Sequence, residues 1–244
     1  MSTITVESLS YDIDGTAFES RLVFDADIKS SRPGLVMAPN WMGVSAGAER
    51  IAQAVASQGY VVLLADLYGQ AVRPQNADGA LAAMMPIKND RGLLRTRMQA
   101  ALAELTSQSL ASVDSANLGS FGFCFGGCCA LDLARDGAPL KAAVSFHGTL
   151  DTPNPADANN IKGAVLAMHG DADPLVPSEQ LPAFIEEMNA AKVDWQLISY
   201  GGAYHSFTDP EANTPGKQMY DKKVSDRAFQ TMYNLFAEVF KPAL

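Results

Sequence analysis

Short apolar runs alternate with longer segments of helical periodicity along most of this chain. That alternation is what parallel strands joined by crossover helices require, because a strand covered on both faces reads as a continuous apolar run. Residues 34–39 form the first such strand, and residues 46–57 follow as a helix with Ile51, Ala52, Val55 and Ala56 on one face. Residues 60–65 are again a nearly unbroken apolar strand, which completes a β-α-β unit. Helical pattern returns over 93–105, 125–135, 182–190 and 220–240, and strand pattern over 117–122, 141–146, 164–168 and 194–200. Ahead of all of these, the alternating stretches Thr3-Ile4-Thr5-Val6 and Arg21-Leu22-Val23-Phe24 predict an antiparallel pair at a sheet edge. Residues 69–90 carry Pro, Gly and Asn beside Met84 and Met85, which predicts a long excursion with at most short helices, of the kind that lines a pocket. The fold class is α/β, a mostly parallel twisted sheet with helices on both faces, and there is no internal repeat.

Composition narrows the picture. With 48% hydrophobic and 18% charged residues, the 244-residue chain can bury a sizeable core, and it reads as one α/β domain over residues 1–244. A net charge of -9 without a basic run opposes contact with nucleic acid or an anionic membrane face, so neither is expected as a partner. The first dozen residues lack the charged and apolar regions of a leader, and no apolar run approaches the ~18 residues of a membrane span, so a cytoplasmic location is expected. Three cysteines, Cys124, Cys128 and Cys129, crowd into one short segment. That spacing suits reduced thiols better than a disulfide framework and lacks the separated Cys and His pairs of a zinc site, so no metal is expected.

The densest chemical signal is Gly122-Phe123-Cys124-Phe125-Gly126-Gly127, which ends a predicted strand and opens a predicted helix. A nucleophile held on such a sharp turn needs small neighbours, and a helix start favours thiolate over thiol. On the turn alone, a reactive thiol and a small buried cysteine fit about equally well. What separates them lies downstream, where an acid and a histidine follow in the order nucleophile, acid, histidine of the α/β-hydrolase fold. Asp173 lies in the loop Asp171-Ala172-Asp173-Pro174-Leu175-Val176-Pro177 after a strand, and His205 in Gly201-Gly202-Ala203-Tyr204-His205-Ser206-Phe207 after another. Asp173 is favoured as the acid, although spacing alone does not eliminate Asp171. His147 and His169 read first as structural histidines. His147, at a strand end, is also a pocket candidate, since ligands gather at the carboxyl ends of parallel strands.

Acyl transfer needs donors for an oxyanion, and in this arrangement they are the backbone N–H groups of Phe125 and Trp41. Asn40, Met84, Met85, Tyr204 and Phe207 join His147 as pocket candidates. The expected chemistry is hydrolysis of a small ester or lactone by Cys124, His205 and Asp173 through a thioester, with activated aryl esters and phosphotriesters as side substrates. The rival is a non-catalytic or redox-sensing protein in which Cys124 is oxidised reversibly.

At these residues, and at Asp66-Leu67-Tyr68-Gly69, the sequence resembles the dienelactone hydrolase family over most of its length. The resemblance implies an α/β-hydrolase fold with a sheet of about eight strands. It implies a triad at Cys124, Asp173 and His205, oxyanion donors at Trp41 and Phe125, and no metal or organic cofactor. The chain departs from the best-known members at Asn40, where they carry a glutamate that contacts the thiol; with asparagine there, activation of Cys124 falls to His205. It implies no oligomeric state.

Overall fold

The computed structural model describes residues 3–240. Its eight long strands form a mixed, mostly parallel sheet, and the chain divides into two compact units, Met1–Ser120 and Phe121–Leu244.

The first unit opens with an antiparallel hairpin of β1 (Ile4–Ile13) and β2 (Thr16–Asp25), in register from Ile4 opposite Asp25 to Ile13 opposite Thr16. The turn residues Asp14 and Gly15 both have positive φ, 50° and 82°, the geometry whose twist matches the flanking strands. The predicted edge pair is therefore present, and each strand is ten residues long. Next come β3 (Arg32–Ala38), α1 (Ala46–Ala56) and β4 (Val61–Leu64). β3 and β4 pair in parallel and β2 pairs antiparallel with β4, so the β-α-β unit expected from the apolar runs is the centre of this unit. Ser45 starts α1 by accepting the Ala48 N–H on its hydroxyl.

One expectation fails in this region. Residues 69–90 were expected to hold at most short helices, but α2 (Ala77–Asn89) has 13 residues and runs straight through them. Asn76 caps it by accepting the Gly79 N–H, and Asp78 sits in the first turn where the helix dipole favours an acid. Pro86 lies inside, so the helix tolerates one missing donor there. Asp90 then caps α3 (Arg91–Ser107), taking the Leu93 N–H, and β5 (Val113–Phe123) carries the chain from the first unit into the second.

The second unit holds α4 (Phe125–Arg135), β6 (Ala142–Phe146), a 3₁₀ turn at Pro155–Asn160, β7 (Ala164–Gly170), α5 (Gln180–Ala190) and β8 (Trp195–Tyr200). Two short paired strands, β9 (Asn213–Thr214) and β10 (Gln218–Met219), precede α6 (Lys222–Val239). β6, β7 and β8 are parallel neighbours in that order, with Ala143 beside Val165 and Ala167 beside Leu197. Strand side chains alternate faces, so Val165 and Ala167 point one way and Phe146 the other. Leu131 of α4 and Phe184 and Met188 of α5 pack on the first face, while Phe229 of α6 meets Phe146 at 5.1 Å on the second. Helices thus cover both faces of these strands.

Every residue of α4 is buried, including its terminal Arg135. That charge is matched by a two-pronged pair with Glu187 of α5, at 2.8 and 2.7 Å, and by the Leu150 carbonyl at 3.0 Å. A buried guanidinium needs such partners, and the pair ties α4 to α5 and to the loop after β6. No helix among the described residues is long and apolar enough to cross a membrane.

Candidate active site

Residues with chemistry follow four successive strands: Cys124 after β5, His147 after β6, the loop to Asp173 after β7, and the loop to His205 after β8. Backbone strain concentrates at the same place. Of the five non-glycine residues with positive φ among those described, three are Cys124 (55°), His147 (41°) and Ser206 (58°).

Cys124 sits at the turn into α4 with ψ of -119°. Its N–H donates to the Phe146 carbonyl at 3.0 Å and to Nδ1 of His147 at 3.2 Å, which holds the strained residue from below. The turn can run this close only because Gly127 and Gly148 lack side chains. A Cβ on Gly127 would lie 2.4 Å from Ser145 Oγ and 3.0 Å from Gly148 Cα, and one on Gly148 would lie 2.9 Å from Gly127 Cα. The sequence pointed to Gly122 and Gly126 as the small flanks; the contacts show that Gly127 and Gly148 are held to the same requirement.

His205 is buried, and its Nδ1 lies 2.7 Å from Asp173 Oδ2. The other carboxylate oxygen of Asp173 accepts the Leu175 N–H at 2.8 Å, which fixes the acid's orientation. Asp173, which was favoured over Asp171 from its loop, is buried, whereas Asp171 is exposed. Gly170 permits this approach, since a Cβ there would meet the Ala203 carbonyl at 2.4 Å, in the loop that carries His205.

The remaining ring nitrogen, Nε2 of His205, is enclosed and has no hydrogen-bond partner of standard geometry. The Cys124 thiol and the His205 ring nevertheless act on each other through charge and hydrogen bonding. Burial alone would push the Cys124 thiol up, but the His205 ring, its hydrogen bond and the Phe125 N–H outweigh it and bring the thiol below its ordinary value. Burial likewise works against charge on His205, yet Cys124 and Asp173 raise its pKa to about 10. Both shifts favour the thiolate form of Cys124 and the charged form of His205.

His147 behaves in the opposite way. Burial first, and the charge of His205 second, hold it well below the usual histidine range. Its ring stands edge-on to His205 with centroids 5.1 Å apart and rests on Phe207 at 4.9 Å. Both were expected to line a pocket. They are 2% and 0% exposed, with His147 packed between the rings of His205 and Phe207. Tyr204 is half-buried.

In the first unit, Asn40 and Trp41 follow β3 and are half-buried. The Asn40 side chain closes its own turn by accepting the Met42 N–H at 3.0 Å, and the Trp41 carbonyl accepts the Tyr68 hydroxyl at 2.8 Å. Met84 is half-buried on α2 and Met85 lies on its exposed side. No group of three or more His, Cys, Asp or Glu side chains that could hold a metal occurs among the described residues.

The profile of the dienelactone hydrolase family matches residues 20–240. The chain belongs to the dienelactone hydrolase family. Its relatives include a probable 2-oxo-3-(5-oxofuran-2-ylidene)propanoate lactonase of Bradyrhizobium sp, 30% identical over 85% of this chain and 86% of the relative. An uncharacterized protein of Caenorhabditis elegans is 42% identical over 61% of this chain and 96% of its own length. Among solved structures, a dienelactone hydrolase-like promiscuous phosphotriesterase, P91, from metagenomic libraries is 37% identical. It superposes with a TM-score of 0.91 over 98% of this chain and 99% of that one. This dienelactone hydrolase family member therefore has the α/β-hydrolase fold and is a hydrolase of the carboxylic-ester and lactone type. Within that family assignment, the second unit brings Cys124, His205 and Asp173 together, with the Phe125 N–H at the sulfur.

Proposed function

We propose that the chain hydrolyses a small ester or lactone with Cys124 as nucleophile, His205 as the proton carrier and Asp173 as the group that orients it. The observation that carries this reading is the chain of contacts from Asp173 through His205 to Cys124, in which the thiol is drawn down and the imidazole pushed up. The thiolate sulfur attacks the carbonyl carbon, and the carbonyl π electrons move onto oxygen. The Phe125 N–H, whose hydrogen bond helps to lower the thiol, is the donor to that oxyanion in this reading. Collapse breaks the carbon–oxygen bond to the leaving group, which takes the proton from His205 and leaves a thioester. Neutral His205 then removes a proton from water, the hydroxide attacks the thioester carbonyl, and the acid departs as the thiolate and imidazolium are restored.

Activated phosphotriesters are proposed as side substrates of the same thiolate. The support is the likeness to the promiscuous phosphotriesterase and the softness of sulfur as a nucleophile.

The test is the initial rate on p-nitrophenyl acetate for the unaltered protein, Cys124→Ala and Cys124→Ser, with intact mass spectrometry of the rapidly quenched reaction. Turnover that vanishes in Cys124→Ala, together with an acyl adduct mapped to Cys124, is the expected result. An unaltered protein that is inert on every ester and lactone tried, while Cys124 oxidises readily, would replace this reading with that of a redox sensor.

A further inference from the structure

We infer that His147 is a positioning residue that ties the nucleophile's backbone to the loop carrying His205, by receiving the Cys124 N–H on Nδ1 and donating Nε2–H to Thr208. This rests on the reading of Cys124 as nucleophile and His205 as its partner, and it adds a residue outside the triad.

The geometry assigns the protons. The Cys124 N–H is shared between the Phe146 carbonyl at 3.0 Å and Nδ1 of His147 at 3.2 Å, and because a backbone N–H can only donate, Nδ1 presents its lone pair. The proton of the neutral ring is then on Nε2, which lies 2.8 Å from Thr208 Oγ1. Thr208 is buried and stands three residues beyond His205, so one imidazole spans the two segments whose separation sets the distance from sulfur to Nε2 of His205. The bridge is itself held on several sides. The His147 N–H donates to the Met168 carbonyl at 2.7 Å, Phe207 supports the ring at 4.9 Å, and Phe123 flanks it at 6.1 Å. His147 adopts φ of 41°, an uncommon backbone state that histidine tolerates better than most residues and that persists only when its surroundings impose it.

The bridge requires an uncharged ring. Protonation would place an N–H on Nδ1 facing the Cys124 N–H, which breaks this end of the bridge and leaves the Cys124 N–H to the Phe146 carbonyl alone. The titratable groups facing His147 are Cys124 on the turn into α4 and His205 on its loop; the other contacts, from β5, β7, Phe207 and Thr208, carry no charge. Burial, together with repulsion from a charged His205, keeps the ring neutral while the thiolate–imidazolium pair forms beside it.

The experiment compares Thr208→Val, Thr208→Ser, His147→Asn and His147→Gln. For each, kcat and KM on p-nitrophenyl acetate are measured, together with the rate at which iodoacetamide alkylates Cys124 from about pH 5 to about pH 10. Thr208→Val removes the acceptor at nearly constant volume. It is expected to lower kcat about tenfold or more with KM within about twofold, and to move the midpoint of Cys124 alkylation up by about one pH unit. Thr208→Ser keeps the hydroxyl and restores both readouts. His147→Asn keeps an acceptor near the Cys124 N–H, and His147→Gln keeps a donor near Thr208, so each falls between the unaltered protein and the loss of both ends. If Thr208→Val and His147→Asn fold with unchanged melting temperature and keep the original kcat and alkylation midpoint, the bridge has no positioning role. Should the unaltered protein hydrolyse nothing, the nucleophile reading fails by itself, while the alkylation midpoints still decide whether His147 sets the geometry of Cys124.

Discussion

At the scale of single residues, the site depends on two groups that move each other's protonation in opposite directions. Cys124 lies below its ordinary value and His205 is raised to about 10, so the thiolate–imidazolium pair persists between those two limits. As pH falls through the lowered value of Cys124 the thiolate is lost, and as it rises through about 10 the imidazolium is lost. Alkylation of Cys124 by iodoacetamide is therefore expected to have its midpoint below the ordinary thiol value of about 8.5, and in His205→Asn that midpoint should climb back toward it. An unchanged midpoint in His205→Asn would show that the helix start, and not the imidazole, lowers the thiol. Cys124 and His205 were legible in the sequence because each sits among glycines at the end of an apolar run, a pattern that few other demands on a chain produce. Asp173 was favoured from its loop but spacing could not eliminate Asp171, and the contacts of His147 with Cys124 and Thr208 were not legible at all, because both turn on which side chains the fold buries together.

Among the elements, α4 shows how a reactive turn is packed in place. Gly127 and Gly148 meet across Ser145, whose hydroxyl is buried without a hydrogen-bond partner. Gly127→Ala would press a methyl group into that contact and is expected to destabilise the fold by about 1–3 kcal/mol in urea unfolding. Ser145→Ala alone removes an unsatisfied hydroxyl and is expected to be neutral or stabilising, and combined with Gly127→Ala it should recover part of the loss. Equal losses with and without Ser145→Ala would mean that the Gly148 backbone, and not the hydroxyl, sets the limit. The parallel strands were legible from their unbroken apolar runs. α2 was not, because Gly79 and Pro86 weaken its helical pattern while the Asn76 cap that starts it resembles an ordinary loop asparagine.

Across the whole molecule, the order of strands and helices could be read because each buried strand and each amphipathic helix leaves its own period in the sequence. The division into Met1–Ser120 and Phe121–Leu244 could not, since it falls inside β5, a single strand buried without interruption from Asn117 through Phe123. The three cysteines also differ in a way that only the folded chain shows: Cys128 and Cys129 are wholly buried in α4, while Cys124 retains some exposure. The native protein should therefore consume a single equivalent of a thiol reagent rapidly and three after denaturation, which a chromogenic disulfide would count directly. Consumption of more than one equivalent at comparable rates would contradict the burial of α4. If the count holds, the chain carries its own internal standard: one stoichiometric titration reports the concentration of competent sites in any preparation, without removing the other two sulfurs.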